Sequence, residues 1–87
     1  MRFGHLKKEV RVKVGSKQGR IDWMTEKKAI EIERSGNPRD IRWACLKLKA
    51  SRKRYKILRV PDWHVDMARE IASKVSSSIT VQNLSGD

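Results

Sequence analysis

An α+β fold, built as an antiparallel three-strand meander followed by helix, strand, helix and strand, is predicted by three observations. Period-two alternation fills Glu9 to Val14 and recurs between Arg20 and Arg34; the period becomes helical after Pro38; and a short apolar run, Arg54 to Val60, separates that helix from a second one. The 87 residues make one domain, 1–87. Its core is thin, because a chain this short removes only about 60 to 65% of its unfolded surface from water.

The first strand is EVRVKV, Glu9 to Val14, in which apolar and charged residues alternate. A helix from Phe3 to Val14, using Phe3, Leu6, Val10 and Val14, is the competing reading, and the residues before Glu9 have room for a short helical turn. GSKQG turns the chain, and RIDWMT and AIEIER form two strands around a tight polar turn at Glu26 and Lys27. In SGNP, Asn37 is a natural N-cap and Pro38 suits the first helical position; Ile41, Ala44, Cys45 and Leu48 then fall on one helical face. RYKILRV is apolar enough to be a strand buried on both faces. Pro61 and Asp62 stop it and open a second helix with Met67, Ala68, Ile71, Ala72 and Val75 inward, and SITVQNL supplies the last strand.

The net charge is +11, from 21 Lys and Arg against 10 Asp and Glu, with the cations spread along the chain. Such a field attracts polyanions, nucleic acid (DNA or RNA) above all, because counterion release rewards many phosphate contacts, whereas a membrane surface would call for one basic amphipathic helix. No run is apolar and long enough for a membrane span, and MRFGHLKKEV lacks the apolar centre of a signal peptide. A single cysteine, Cys45, excludes an internal disulfide and no Cys/His spacing suits zinc, so the cytoplasm is the expected compartment. P-loop, dinucleotide and Ser/His/Asp patterns are absent. The small core gives a homodimer or a partner protein a physical rationale.

Against this basic background, Asp22, Glu31 and Glu33 stand out. A turn at Glu26 and Lys27 pairs Thr25 with Lys28, and counting back sets Trp23 opposite Ile30, Ile21 opposite Ile32 and Asp22 opposite Glu31. Asp22 and Glu31 then face each other at roughly 5 Å between Cβ atoms, with Glu33 on the same side and Ile21, Trp23, Ile30 and Ile32 on the other. Like charges so placed repel, and Mg²⁺ or Mn²⁺ would relieve the repulsion, since a hard cation takes carboxylate oxygens together with water and phosphate. The plainer reading is a solvated hairpin face balanced by Arg20, Lys28 and Arg34.

The pattern of RID on one strand and AIEIE on the next, followed by a helix and a strand, resembles the PD-(D/E)XK, or restriction-endonuclease-like, nuclease superfamily in a small E-x-E variant. The resemblance covers Glu9 to Val60. It implies a minimal core of that fold and Mg²⁺- or Mn²⁺-dependent hydrolysis of DNA phosphodiesters, with Asp22 and Glu31 as metal ligands and Glu33 as third ligand or general base. Two departures are evident: Glu33 stands where the family has lysine, and only Met1 to Lys8 remain for a long first helix. Lys13 is a candidate for the missing lysine, since pairing Val14 with Ile21 across a six-residue loop would bring it opposite Asp22.

KLKASRKR holds five cations, Lys47, Lys49, Arg52, Lys53 and Arg54, at a helix end, more than dipole capping requires, and reads as a phosphate-contact surface that Arg34, Arg39 and Arg42 extend. A non-catalytic basic nucleic-acid-binding module is the alternative function. Trp23 shares its parity with Ile21 and is expected in the core. Trp43 falls off the apolar helix stripe, toward DNA or a second subunit. Trp63 is expected to pack, His64 to be solvated, and Cys45 to be an inert core thiol.

Overall fold

The structure, a computed structural model, describes residues 6–87. Strand β1, Lys7–Val14, and β2, Lys17–Met24, form an antiparallel hairpin, and β3, Lys28–Ile32, lies antiparallel beside β2. Helix α1, Pro38–Ser51, then crosses to β4, Tyr55–Val60, which runs parallel to β3. A 3₁₀ turn at Asp62–His64 leads into α2, Val65–Val75, and β5, Ile79–Asn83, closes the sheet parallel to β4. Spatial order follows chain order, β1-β2-β3-β4-β5. This is the predicted α+β architecture. The competing helix is replaced by β1 from Lys7 onward; the short helical turn expected before Glu9 falls largely on residues 1–5, outside the described residues.

Local chemistry explains most boundaries. Gly15, in the left-handed region at φ +62°, lets the β1–β2 turn close directly between Val14 and Lys17. Consequently Val10, not Val14, pairs with Ile21, and Lys13 pairs with Gln18. Lys13 is therefore not opposite Asp22, which corrects the pairing expected across a longer loop. Thr25 closes the next turn twice: its N–H donates to Lys28 O at 2.9 Å, and its hydroxyl accepts from Lys28 N at 3.0 Å. Asn37 caps α1 by accepting from Arg39 N at 2.8 Å, with Pro38 opening the helix as expected.

Both helices cover one face of the sheet. The core there joins Ile21, Ala29, Leu58, Val60 and Val81 to Ile41, Ala44, Cys45 and Leu48 of α1 and Ala68 and Ala72 of α2. Met67, Ile71 and Val75 pack against its edge, as the α2 stripe predicts. Truncating Leu48 or Leu58 to Ala would cost about 2–5 kcal/mol at such sites. β4 is buried on that face only: Leu58 and Val60 are buried, while Ile57 and Arg59 are half-buried and Tyr55 is exposed. The expectation of burial on both faces fails because α1 and α2 lie on the same side.

One strand breaks its alternation. Ile21 and Met24 both pack on the helix-side core although they are three residues apart, whereas Trp23 lines the opposite face with Ile30, Ile32 and Arg59. The expected grouping of Ile21 with Trp23, Ile30 and Ile32 is thus corrected. The irregularity centres on Asp22. On the β1 side the ladder passes from Lys8–Trp23 to Val10–Ile21 without a pair between them, and Glu9 there adopts φ +54°. On the β3 side, backbone pairing covers only Trp23–Ile30 and Met24–Ala29.

Candidate active site

Beyond Trp23 and Ile30, carboxylates replace the missing ladder bonds. Asp22 N donates to Glu31 Oε2 at 2.8 Å, and Ile32 N donates to Asp22 Oδ2 at 2.9 Å. Each acid satisfies a backbone N–H of the strand that carries the other, or of its immediate neighbour. Asp22 and Glu31 are therefore side by side as the register count requires, held by reciprocal side-chain bonds rather than by a regular ladder.

Glu31 is 3% exposed, and is the one charged residue among the described residues in the buried class. It shares the helix-covered face with Ala29, two residues earlier. Opposite it, Lys47 of α1 brings its Nζ to 2.5 Å from Glu31 Oε1 and donates to Arg20 O at 3.0 Å. Gly19 makes this possible. A Cβ at Gly19 would stand 2.6 Å from Lys47 Cδ and 2.9 Å from Lys47 Cγ, so the lysine stem crosses β2 where there is no side chain. Burial pushes the Glu31 carboxyl up from 4.5 to about 7, against the Lys47 hydrogen bond, the Asp22 N–H and the Lys47 charge, which pull it down, and with a small further lift from the Asp22 charge.

Glu33 does not join the pair. It follows β3, its N–H donates to Arg59 O at 2.9 Å, and its carboxylate accepts from Ser35 N at 3.1 Å. Among the described residues no three His, Cys, Asp or Glu side chains are grouped to hold a metal ion, which corrects the three-carboxylate focus expected from alternation. The cation inferred from charge repulsion is supplied in part by a side chain, Lys47. The sequence alone groups Lys47 with the surface cations; the signal for its actual position is Gly19, whose missing side chain leaves room for the lysine stem across β2.

Metal-ion fit rests on the oxygens of two acids. A carboxylate offers about four lone-pair sites. Asp22 Oδ2 takes one N–H, and among the described residues no hydrogen bond engages Oδ1; Asp22 as a whole is half-buried. Two adjacent carboxylates fit a hard divalent cation that fills its remaining positions with water or phosphate oxygens.

The other cations divide into two sets. Arg34, Arg39, Arg42, Lys49, Arg52 and Arg54 are exposed, whereas Lys53 is half-buried and donates to Glu26 O at 3.1 Å. Arg52 caps α1 in the left-handed region, φ 58°, which fixes the direction of the basic turn. Trp43 is half-buried beside Lys47, with Lys17 Nζ 5.7 Å from its ring centroid. Trp23 is outside the core, under Lys8 Nζ at 4.6 Å, and Trp63, expected to pack, is 79% exposed because it lies on the 3₁₀ turn ahead of α2. His64, expected to be solvated, is half-buried against Gly36. Cys45 is a buried thiol raised to about 11 by that burial, the inert core role expected.

Compared with protein-family models, with curated proteins and with solved structures, the chain matches none. Among the described residues no helix is long and apolar enough to cross a membrane.

Proposed function

We propose that this chain is a minimal metal-dependent nuclease acting on DNA in the cytoplasm, with Asp22, Glu31 and Lys47 as its site. The observation that carries the reading is Lys47 Nζ at Glu31 Oε1: an aspartate, a glutamate and a lysine meet on a strongly basic body, although the lysine comes from α1 rather than from the strand. In this reading Asp22 Oδ1 and the Glu31 carboxylate hold Mg²⁺ or Mn²⁺, which supplies polarisation of the phosphodiester and activation of water. Lys47 provides the positive charge facing the developing negative charge on phosphorus oxygens. Exposed Arg39, Arg42, Lys49, Arg52 and Arg54 hold the backbone.

The test is cleavage of supercoiled and branched DNA with Mg²⁺ or Mn²⁺ by Asp22→Asn, Glu31→Gln and Lys47→Met. Asn and Gln keep a carbonyl oxygen for the backbone N–H groups, so loss of cleavage with retained folding separates chemistry from scaffold. The expected loss is at least about 100-fold for each. Cleavage that persists undiminished in Asp22→Asn and Glu31→Gln sinks the reading.

A second reading, a non-catalytic nucleic-acid-binding module, is favoured by the same ion pair taken as complete in itself, with Lys47 the only cation Glu31 needs. DNA binding without cleavage and without a divalent-ion requirement would establish it.

A further inference from the structure

Trp43 and Lys47 are four residues apart and share one face of α1. Both meet Gly19: a Cβ there would lie 3.0 Å from Trp43 Cζ2, so the indole edge rests on bare β2 backbone. Trp43 belongs to none of the core contacts that Ile41, Ala44, Cys45 and Leu48 make. Instead it lines a cleft of about 460 Å³ together with Val14, Leu46, Lys17, Arg39 and Arg42. Lys17 Nζ and Lys47 Nζ lie over the ring, 5.7 and 6.0 Å from its centroid, so a base stacking on Trp43 displaces the exposed Lys17 ammonium. One carboxylate, Asp40, also lines it, and accepts from Ser35 Oγ at 3.2 Å.

An aromatic ring seated edge-on, left out of the core and surrounded by cations is built to stack a planar, phosphate-bearing ligand. The cleft volume lies in the roughly 300–1,000 Å³ range of small-ligand sites. A base in duplex DNA is already stacked on both faces and cannot enter; an unpaired one can. Lys47 extends from just over one helical turn beyond Trp43, about 6 Å along the axis, to Glu31. A nucleotide stacked on Trp43 therefore has its neighbouring phosphates within reach of the exposed cations Lys17, Arg39 and Arg42 of the same cleft.

We propose that Trp43 is the stacking platform for an unpaired nucleotide of DNA, and that the substrate class is DNA with a single-stranded segment, such as an overhang, a gap or an arm at a branch. The placement of that nucleotide beside the reacting bond rests on the nuclease reading; the stacking itself does not.

The experiment uses the unaltered chain in EDTA, so that no hydrolysis intervenes. Photocrosslinking to a single-stranded oligodeoxynucleotide carrying 5-iododeoxyuridine is mapped by mass spectrometry, with exposed Trp63 as internal control. The expected adduct is on Trp43; an adduct on Trp63 or Trp23 without Trp43 overturns the proposal. In parallel, Trp43→Ala is expected to weaken binding of a 12-nucleotide single strand by about 5- to 150-fold, the equivalent of about 1–3 kcal/mol per stacked base, with Trp43→Phe within about threefold of the parent and duplex affinity changed less than about twofold. Equal losses for duplex and single strand, or tighter binding of an RNA 12-mer than of the DNA, also overturn it. Cleavage lost in Asp22→Asn with the Trp43 crosslink present supports both readings. A crosslink without any cleavage by the parent removes the nuclease reading alone; cleavage without the crosslink removes the stacking alone.

Discussion

Lys47 Nζ lies 2.5 Å from Glu31 Oε1, an ion pair with both side chains largely out of water, at 14% and 4% exposure. Its worth is limited by the desolvation of both groups, but breaking it leaves an uncompensated charge. Lys47→Met removes two influences that hold the Glu31 proton affinity down, so the carboxyl moves further upward. The variant is expected to lose little stability at pH 5, where Glu31 is protonated, and up to about 3–5 kcal/mol at pH 8. Urea unfolding at the two pH values measures the difference, and equal losses would remove the pair from the energetics.

The Glu31 carboxyl also sets a pH dependence of the parent. Its folded value of about 7 exceeds the ordinary 4.5, so between these values the folded chain binds more protons than the unfolded one. Stability from this group is therefore fully present below about 4.5 and is lost as pH rises through about 7, by at most about 3 kcal/mol. Glu31→Gln should flatten the dependence in that window, as read from melting temperature against pH. A divalent cation favours the ionised carboxylate, so Mn²⁺ should raise the melting temperature more at pH 8 than at pH 6.

Gly19→Ala tests the passage for Lys47. The new Cβ meets the middle of the lysine stem and the Trp43 edge at 3.0 Å or less. The stem is anchored at both ends, by α1 and by Glu31, and cannot yield freely. We expect a loss of about 1–3 kcal/mol and, on the proposed nuclease reading, a fall in DNA cleavage of more than about tenfold at a temperature where the variant is fully folded. Circular dichroism melts and cleavage assays on one sample read both quantities.

Gly36 sits at φ +69°, and a Cβ there would collide with the His64 ring. Gly36→Ala should cost about 1–3 kcal/mol from the backbone conformation, with more from the collision. Adding His64→Ala should return the steric part but not the backbone part. A double-mutant cycle by denaturant unfolding separates the two, and full recovery would mean that the left-handed backbone costs nothing.

Neutralising Lys49, Arg52 and Arg54 together should flatten the plot of log affinity against log salt for DNA, by about 0.9 for each phosphate contact removed. Lys53 is better left out, because it already bonds Glu26 O. An unchanged slope would take this helix end out of the DNA surface.

Much of this fold was legible because its signals are local. The Asn37 cap, the Pro38 start, the Ile41/Ala44/Cys45/Leu48 stripe and the pairing of Trp23 with Ile30 each depend on residues within a turn or a hairpin. The adjacency of Asp22 and Glu31 followed from the same count. What local alternation could not carry was the change of face between Ile21 and Met24, which requires the irregular backbone at Glu9 on one side of Asp22 and carboxylate bonds on the other. The destination of Lys47 was hidden for a related reason: it depends on a missing side chain at Gly19, 28 residues earlier and on another element. Trp23 and Trp63 were misplaced because their burial depends on which face the two helices cover and on how the chain enters α2.

The reciprocal bonds of Asp22 and Glu31 make the acids a seam as well as a site. The β1–β2 hairpin joins the parallel half of the sheet through two backbone pairs and through these two carboxylates. An altered acid is therefore judged first for the strand it no longer fastens, and only what exceeds that loss tests the proposed chemistry.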